Sequence, residues 1–456
     1  MCGILGIYSL QTGENINLHK ILLCLKEIQH RGKDSHGVSF IRDNSSAIQF
    51  HKKKGLVDEN VNDIDNIKCA IGHVRYGTSS TKNYSLKEAQ PLIYQNKENT
   101  SSISLVHNGN IPNIKIHDSR YLLDYIAKNL EISGGNVLST LAKLMNDIPA
   151  SYSLLLMFGN KIYVVRDRFG IRPLYYCITN NSVMVCSETL SFPKNSTINE
   201  VNPGEILELS ETGISHLYQH PNSQNSLCAF ELFYFMSPDN IYKNTRIFEL
   251  RKKLGKLLAS QEENYIVQND TIVVGVPTSG IAYGKGFAAE LYLPYQQVIT
   301  QNNSQFGAGR TFILKNNEER NHACREKFTY DEEKISGKNV IVVDDTLVRG
   351  NVIKNIISRL KNCGAREIHI RIPSPPVVDI CQLGIDIKTR EELLMYNYSL
   401  KEATAHLQVH SLRFLTLNDL GSFPEECYAH CFGKPLPDGI KNYVDKTQEE
   451  YANTSR

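Results

Sequence analysis

The second residue of the chain is a cysteine, in the run Met1-Cys2-Gly3-Ile4-Leu5-Gly6-Ile7. Its small side chain permits removal of Met1, which leaves a cysteine bearing its own α-amine. An amino-terminal cysteine pairs a nucleophile with a built-in base. In general the reference pKa values of thiol and amine, about 8.5 and about 7.7–8.0, are close enough for a proton to pass between them. A thiolate attacking a carboxamide creates an oxyanion, which needs a side-chain amide and a backbone N–H aimed at it. Asn108 and Gly109, in Leu105-Val106-His107-Asn108-Gly109-Asn110, offer one of each. An α-amino-acid substrate also needs a cation for its carboxylate and an anion for its ammonium group. Arg75, in Gly72-His73-Val74-Arg75-Tyr76-Gly77-Thr78, suits the first through bidentate geometry, and Asp118 suits the second. Singly, each has a plainer reading: Asn-Gly is a good type I′ turn, and Arg75 a surface arginine.

A second constellation lies far downstream. The apolar run Asn339–Val343 leads into Asp344-Asp345-Thr346-Leu347-Val348-Arg349-Gly350, and a helical pattern follows over Val352–Cys363. Two adjacent carboxylates suit a ribose diol and, directly or through water, a magnesium ion. Gly350 lets the backbone approach an anion, and a helix N-terminus behind it favours phosphate. The plainer alternative is a strand–turn–helix with acidic residues at the helix start.

The elements around these residues differ between the two halves. In the first half, strand-length apolar runs dominate: Gly3–Tyr8, Ala70–Val74, Ile103–Val106, Tyr152–Met157, Ile162–Val165, Ser182–Val185 and Ile206–Leu209. Two helical patterns, Leu18–Gln29 and Tyr121–Leu130, intervene, which predicts stacked sheets flanked by helices. In the second half a helical stretch Thr245–Gln261 is followed by strands ending at Gly280, Val343 and Ile372, with the helical pattern Val352–Cys363 between the last two. That alternation predicts a parallel sheet with helices on both faces and ligands at the carboxyl ends of its strands. The polar stretch Tyr218–Ser226 reads as the linker, dividing the chain into domains 2–222 and 223–456.

The chain of 456 residues is long enough for two or three domains, and its 41% hydrophobic and 21% charged content is that of an ordinary globular protein. A net charge of +2 points to neither nucleic acid nor an acidic membrane, and there is no signal peptide or spanning apolar run. These features predict a cytoplasmic location, where eleven scattered cysteines are catalytic, metal-binding or simply buried rather than disulfide-bonded.

The ordered set Cys2-Gly-Ile, His30-Arg31-Gly32, Gly72-His-Val-Arg75-Tyr, Gln90-Pro91, His107-Asn108-Gly109-Asn110 and Arg166-Asp167-Arg168-Phe169-Gly170-Ile171-Arg172-Pro173-Leu174 resembles the class II glutamine amidotransferase domain. The resemblance implies an N-terminal-nucleophile αββα sandwich in which Cys2 is the nucleophile and Asn108 and Gly109 form the oxyanion hole. Arg31, Gly32, Arg75 and Asp118 would bind glutamine. Val343–Gly350 is similar to the substrate loop of type I phosphoribosyltransferases, in the Val-Arg-Gly form of the glutamine phosphoribosylpyrophosphate amidotransferases. Cys228…Phe230-Glu231…Tyr234-Phe235…Pro238-Asp239, Gly309-Arg310-Thr311-Phe312-Ile313, Ser374-Pro375-Pro376 and Gly384-Ile385-Asp386 fit the same family. By that match Asp344, Asp345, Thr346, Arg349, Gly350, Arg310 and Lys327 bind the phosphoribosyl substrate, and Ser279, Asp344 and Asp345 are the magnesium positions. The charged stretch Lys315–Lys338 corresponds to a loop that closes over that substrate.

The expected activity is glutamine-dependent: ammonia freed by Cys2 is channelled to the second domain and displaces pyrophosphate from phosphoribosyl pyrophosphate, giving phosphoribosylamine. A homo-oligomer is implied by the resemblance alone. Some family members carry a four-iron iron–sulfur cluster, and Cys228, Cys381, Cys427 and Cys431 stand at its ligand positions, the last pair as C-x-x-x-C where the family has C-x-x-C. Other departures are sharper. Lys33 and His36 replace the usual glutamine and alanine, and the stretch from Asn113 to His117 is shorter than the family's connection to the aspartate. Asn351 and Val352 replace two threonines that hold the ribose 5′-phosphate. These leave two alternatives: a paralogue aminating a different phosphosugar or nucleotide-like acceptor, and a nucleotide-sensing regulatory protein.

Overall fold

A computed structural model of the chain describes residues 1–10, 16–62, 64–77, 86–95, 102–114, 117–262, 270–302, 328–421 and 427–453. The chain forms two compact units. One comprises residues 1–228, 382–385 and 436–456, and the other residues 229–381 and 386–435. The C-terminal stretch, expected with the second domain, thus belongs to the first unit.

Among the described residues the first unit has thirteen strands in its two large sheets: β1 (Gly3–Ser9), β2 (Ser35–Arg42), β3 (Gln49–Lys54), β4 (Ile67–Arg75), β5 (Leu92–Gln95), β6 (Ser102–Asn110), β7 (Ser151–Phe158), β8 (Lys161–Arg166), β9 (Tyr175–Ile178), β10 (Ser182–Cys186), β11 (Ile198–Glu200), β12 (Glu205–Ser210) and β13 (Gly213–Gln219). They form a seven-stranded sheet, ordered β11-β9-β10-β1-β4-β2-β3, and a six-stranded sheet, ordered β13-β12-β8-β7-β6-β5. The recorded pairings in both are antiparallel. Successive side chains of a strand face opposite sides, so a strand buried on both faces feeds two cores. On β1, Ile4 and Tyr8 enter the layer between the sheets with Leu155 and Met157 of β7. Leu5 and Ile7 face outward, against helix α1 (Leu18–Glu27). Leu154 and Leu156 face the other way, against helices α2 (Asp118–Ile132) and α3 (Val137–Asp147). The result is the αββα sandwich that the resemblance implied.

The second unit contains a parallel sheet of four strands, in the order Thr271–Gly275, Asn339–Val343, Glu367–Ile372 and Ser411–Phe414. The two central strands carry near-continuous burial, as a sheet covered on both faces requires. Helices Ile247–Ala259, Gly280–Glu290 and Asn351–Asn362 are interleaved with them.

Candidate active site

Cys2 directly precedes β1. Its carbonyl oxygen accepts a hydrogen bond from Arg31 Nε at 2.8 Å, and its Sγ lies 3.5 Å from the Tyr76 backbone nitrogen. Arg31 is fully buried and pairs with Glu188 at 2.5 Å; His30 reaches the same carboxylate at 2.9 Å. Burial by itself would raise the Glu188 carboxyl, but His30 and Arg31 outweigh it and hold it at about 2. The segment that follows β10 thereby fastens the start of the chain twice, since Ser187 also exchanges hydrogen bonds with Ile4. Gly32 abuts the backbone of Arg75, which ends β4. Asp34 accepts from the Gly77 nitrogen at 2.6 Å.

Asn108 and Gly109 end β6 opposite Ser153 and Tyr152 of β7. They are therefore strand residues and not the turn that Asn-Gly alone suggests. A Cβ at Gly109 would overlap the Ser151 carbonyl oxygen and come within 2.7 Å of His107 Nε2, so only glycine fits. Asn108 is 1% exposed, yet neither its amide nitrogen nor its amide oxygen has a partner. A buried amide left unsatisfied is costly, and such exceptions mark groups reserved for something else.

These residues share one cavity of about 210 Å³, to which Cys2, Arg75, Asn108, Gly109 and Asp118 all contribute lining. Asp118 is the first residue of α2, and its carboxylate accepts the Ser119 backbone N–H at 2.7 Å. The short connection before it therefore still delivers the aspartate to the pocket. Sequence reasoning missed Ser119, which hydrogen-bonds His107 Nδ1 at 3.0 Å and Gln90 Nε2 at 2.9 Å. Gln90 in turn accepts from the His107 backbone nitrogen at 2.6 Å. It also missed Glu188 and the lining residue Gly384. The only available signal for Gly384 was its family motif, and Glu188 carried none.

Burial holds His73 well below the usual imidazole range, reinforced by Arg75 and His107, and it lowers His107 against the opposing pull of Asp118. Both stay neutral in the folded state but protonate in the unfolded chain below about 6.5, so their stabilisation is complete above that pH and is lost as pH falls. Buried Asp167, raised to about 6, acts in the opposite direction between 3.8 and 6. The lowered histidines, which also include His36, His51, His220 and His369, outnumber the raised carboxyls Asp167 and Asp345, so the expected net effect of acidification below pH 6 is destabilisation. Thermal melts at pH 7, 6 and 5 test this; a midpoint that rises on acidification contradicts it.

In the second unit, Asp345 is 5% exposed and receives hydrogen bonds from Ser279 Oγ and, at 2.6 Å, from Thr346 Oγ1. Asp344 Oδ1 accepts the Asp345 N–H at 2.9 Å. Burial raises the Asp345 carboxyl against those bonds and the charge of Arg251. Gly350 caps the following helix in the left-handed region, at φ 82°, where glycine carries no Cβ penalty. Arg349 is engaged within the unit, by Glu392 at 2.7 Å and the Asp386 carbonyl at 2.9 Å. The half-buried Val352 packs on the core beneath the sheet. Arg310 and Lys327, with the loop containing them as far as residue 327, lie outside the described residues.

Among the described residues no three His, Cys, Asp or Glu side chains converge to hold a metal. Magnesium ordinarily uses one or two carboxylates together with substrate phosphates. The same finding goes against the expected iron–sulfur site: Cys228, Cys381, Cys427 and Cys431 are all described and none is in a disulfide, but no three of them converge to hold a metal. The Cys431 carbonyl accepts the N–H groups of Val378 and Asp379, close in sequence to Cys381.

Comparison with known proteins covers both units. A glutamine amidotransferase domain model matches residues 81–194, and a phosphoribosyl transferase domain model matches residues 239–373. The chain is 31% identical to the amidophosphoribosyltransferase of Archaeoglobus fulgidus over 92% of this chain and 93% of that protein. It is 32% identical to the Rattus norvegicus amidophosphoribosyltransferase over 92% and 88%. The solved structure of glutamine phosphoribosylpyrophosphate amidotransferase from B. subtilis, complexed with ADP and GMP, matches with a TM-score of 0.77 at 29% identity, covering 96% of this chain and 97% of that one. With Cys2, the unsatisfied Asn108 amide and the paired carboxylates Asp344-Asp345 each set in the expected fold, the chain belongs to the amidophosphoribosyltransferase family.

Proposed function

We propose that Cys2, freed of Met1, attacks the side-chain amide of glutamine in the first unit. The S–H proton passes to the amide nitrogen, the C–N bond breaks, and ammonia leaves a thioester that water hydrolyses to glutamate. The Asn108 side chain and the Gly109 N–H steady the oxyanion, while Arg75 and Asp118 hold the amino-acid end. Ammonia then displaces pyrophosphate from C1 of phosphoribosyl pyrophosphate in the second unit, yielding phosphoribosylamine for purine synthesis. Asp344 and Asp345 would hold the ribose and a magnesium ion, and the ion would supply charge neutralisation of the leaving pyrophosphate. The unpartnered, buried amide of Asn108 in the Cys2 pocket carries the glutamine half of this reading.

The test is glutamate and pyrophosphate release by the purified protein, with and without phosphoribosyl pyrophosphate and magnesium. Matched release of both products supports the reading. Slow glutamate release that is indifferent to the phosphosugar supports the alternative of a different acceptor, which the packing of Val352 on the core favours. A hydroxyl at that position restores a hydrogen bond to a charged phosphate, worth roughly 1.5–3 kcal/mol. Val352→Thr is therefore expected to lower the KM for phosphoribosyl pyrophosphate about tenfold; an unchanged KM means that the substrate phosphate is not seated there.

The reaction requires no cluster. Iron and acid-labile sulfide in anaerobically prepared protein decide whether a cluster is present. A cytoplasmic homo-oligomer completes the proposal; no described helix is long and apolar enough to cross a membrane. Light scattering showing only monomer would remove the oligomer.

A further inference from the structure

Asn113 stands outside the glutamine pocket, between Ile111 and Ile114, which line it. Its backbone is left-handed, at φ 60°, a conformation that asparagine tolerates better than most residues. Its side-chain nitrogen lies 3.1 Å from the Val444 carbonyl oxygen and 3.0 Å from Thr447 Oγ1. Both acceptors belong to the C-terminal helix Asp438–Asn453 and, three residues apart, lie on one face of it. The helix is itself firmly seated. Ile440 and Val444 are 0% and 2% exposed, Tyr443 packs against the core that carries α2 and α3, and Gly439 packs against Arg168 and Phe169.

We propose that Asn113 is a positioning residue for the glutamine site, through which the C-terminal helix holds Ile111–Ile114 and so places Asp118 against the substrate ammonium. The proposal rests on the glutamine reading of the pocket. Ile111 and Ile114, on either side of Asn113, pack on the core that carries α2 and α3. Asn113 supplies both the turn of the backbone and the cross-link to an element more than three hundred residues downstream. Loosening it leaves Cys2 and the oxyanion donors in place, because they are fixed by β1, β6 and β7, but it frees the group that reads the amino-acid end.

Asn113→Gly keeps the left-handed backbone accessible and deletes only the amide. The expected result is a rise of about tenfold in the KM for glutamine, with kcat within about twofold and synthesis from ammonium unchanged. Thr447→Ala, which removes one acceptor, should raise KM by about two- to threefold, and the double variant should be no worse than Asn113→Gly, since both remove one link. An unchanged KM in Asn113→Gly, or an equal loss of the ammonium-dependent rate, overturns the proposal. If the unaltered protein turns over glutamine and the variant KM is unchanged, the proposal falls alone; if the unaltered protein does not turn over glutamine, both fall.

Discussion

Replacing Cys2 by alanine is expected to remove glutamine-dependent product formation by at least about 10⁴-fold while leaving formation from ammonium salts within a few-fold of the original rate. The first effect follows from covalent catalysis: without the sulfur there is no acyl intermediate, and water alone must attack an unactivated amide. The second follows from the division of labour, because ammonium ions in solution supply the same nucleophile that Cys2 releases. The small side chain of alanine also permits Met1 removal, so amine processing is not a confounding variable. Measuring both reactions on one preparation separates loss of chemistry from loss of fold. Equal loss of both would place Cys2 in a structural role, and retention of glutamine turnover would move the nucleophile elsewhere.

The second large effect concerns Asn108. Removing one oxyanion donor typically costs 10²–10³ in kcat, so Asn108→Ala is expected to show that loss with little change in the KM for glutamine. Its effect on stability should be the reverse of an ordinary core truncation. Both polar atoms of the Asn108 amide are buried without partners, and an unsatisfied buried polar group costs roughly 1–3 kcal/mol. Deleting it recovers that cost and offsets the small void left behind. The expected thermal midpoint is therefore no lower than that of the unaltered protein. A midpoint several degrees lower, with kcat nearly intact, would show that the amide is structural.

What the sequence revealed and what it concealed divide along a physical line. Cys2, Arg75 and Asn108-Gly109 were legible because each lies on a strand or at its end, within a short run of characteristic residues. Strand periodicity gave the sandwich for the same reason: on β1 the alternation of Ile4 and Tyr8 with Leu5 and Ile7 is a local pattern. The Glu188 pairing with Arg31 was hidden, since 157 residues separate the partners and nothing in the sequence near Glu188 marks it. Helix Gly280–Glu290 was hidden differently. Its glycines weaken the helical signal, yet close packing requires them: a Cβ at Gly286 would overlap the Lys252 carbonyl, and one at Gly255 in the facing helix would overlap that of Tyr283. The departure at Val352 was visible in the sequence, but its physical accommodation, packing on the core of the second unit, was not.

The first unit is discontinuous in the chain: residues 382–385 return to it part-way through the second unit, and 436–456 return after the last residues of the second unit. Gly384 lines the Cys2 pocket, and the C-terminal helix bonds to Asn113 beside that pocket. A fragment ending at residue 222 would retain Cys2, Asn108 and Gly109 but would lack Gly384 and the helix that bonds Asn113. During synthesis the order is the same. Cys2 precedes most of the chain, whereas Gly384 in the wall of its pocket and the helix that bonds Asn113 beside it are made only after most of the second unit has been synthesised.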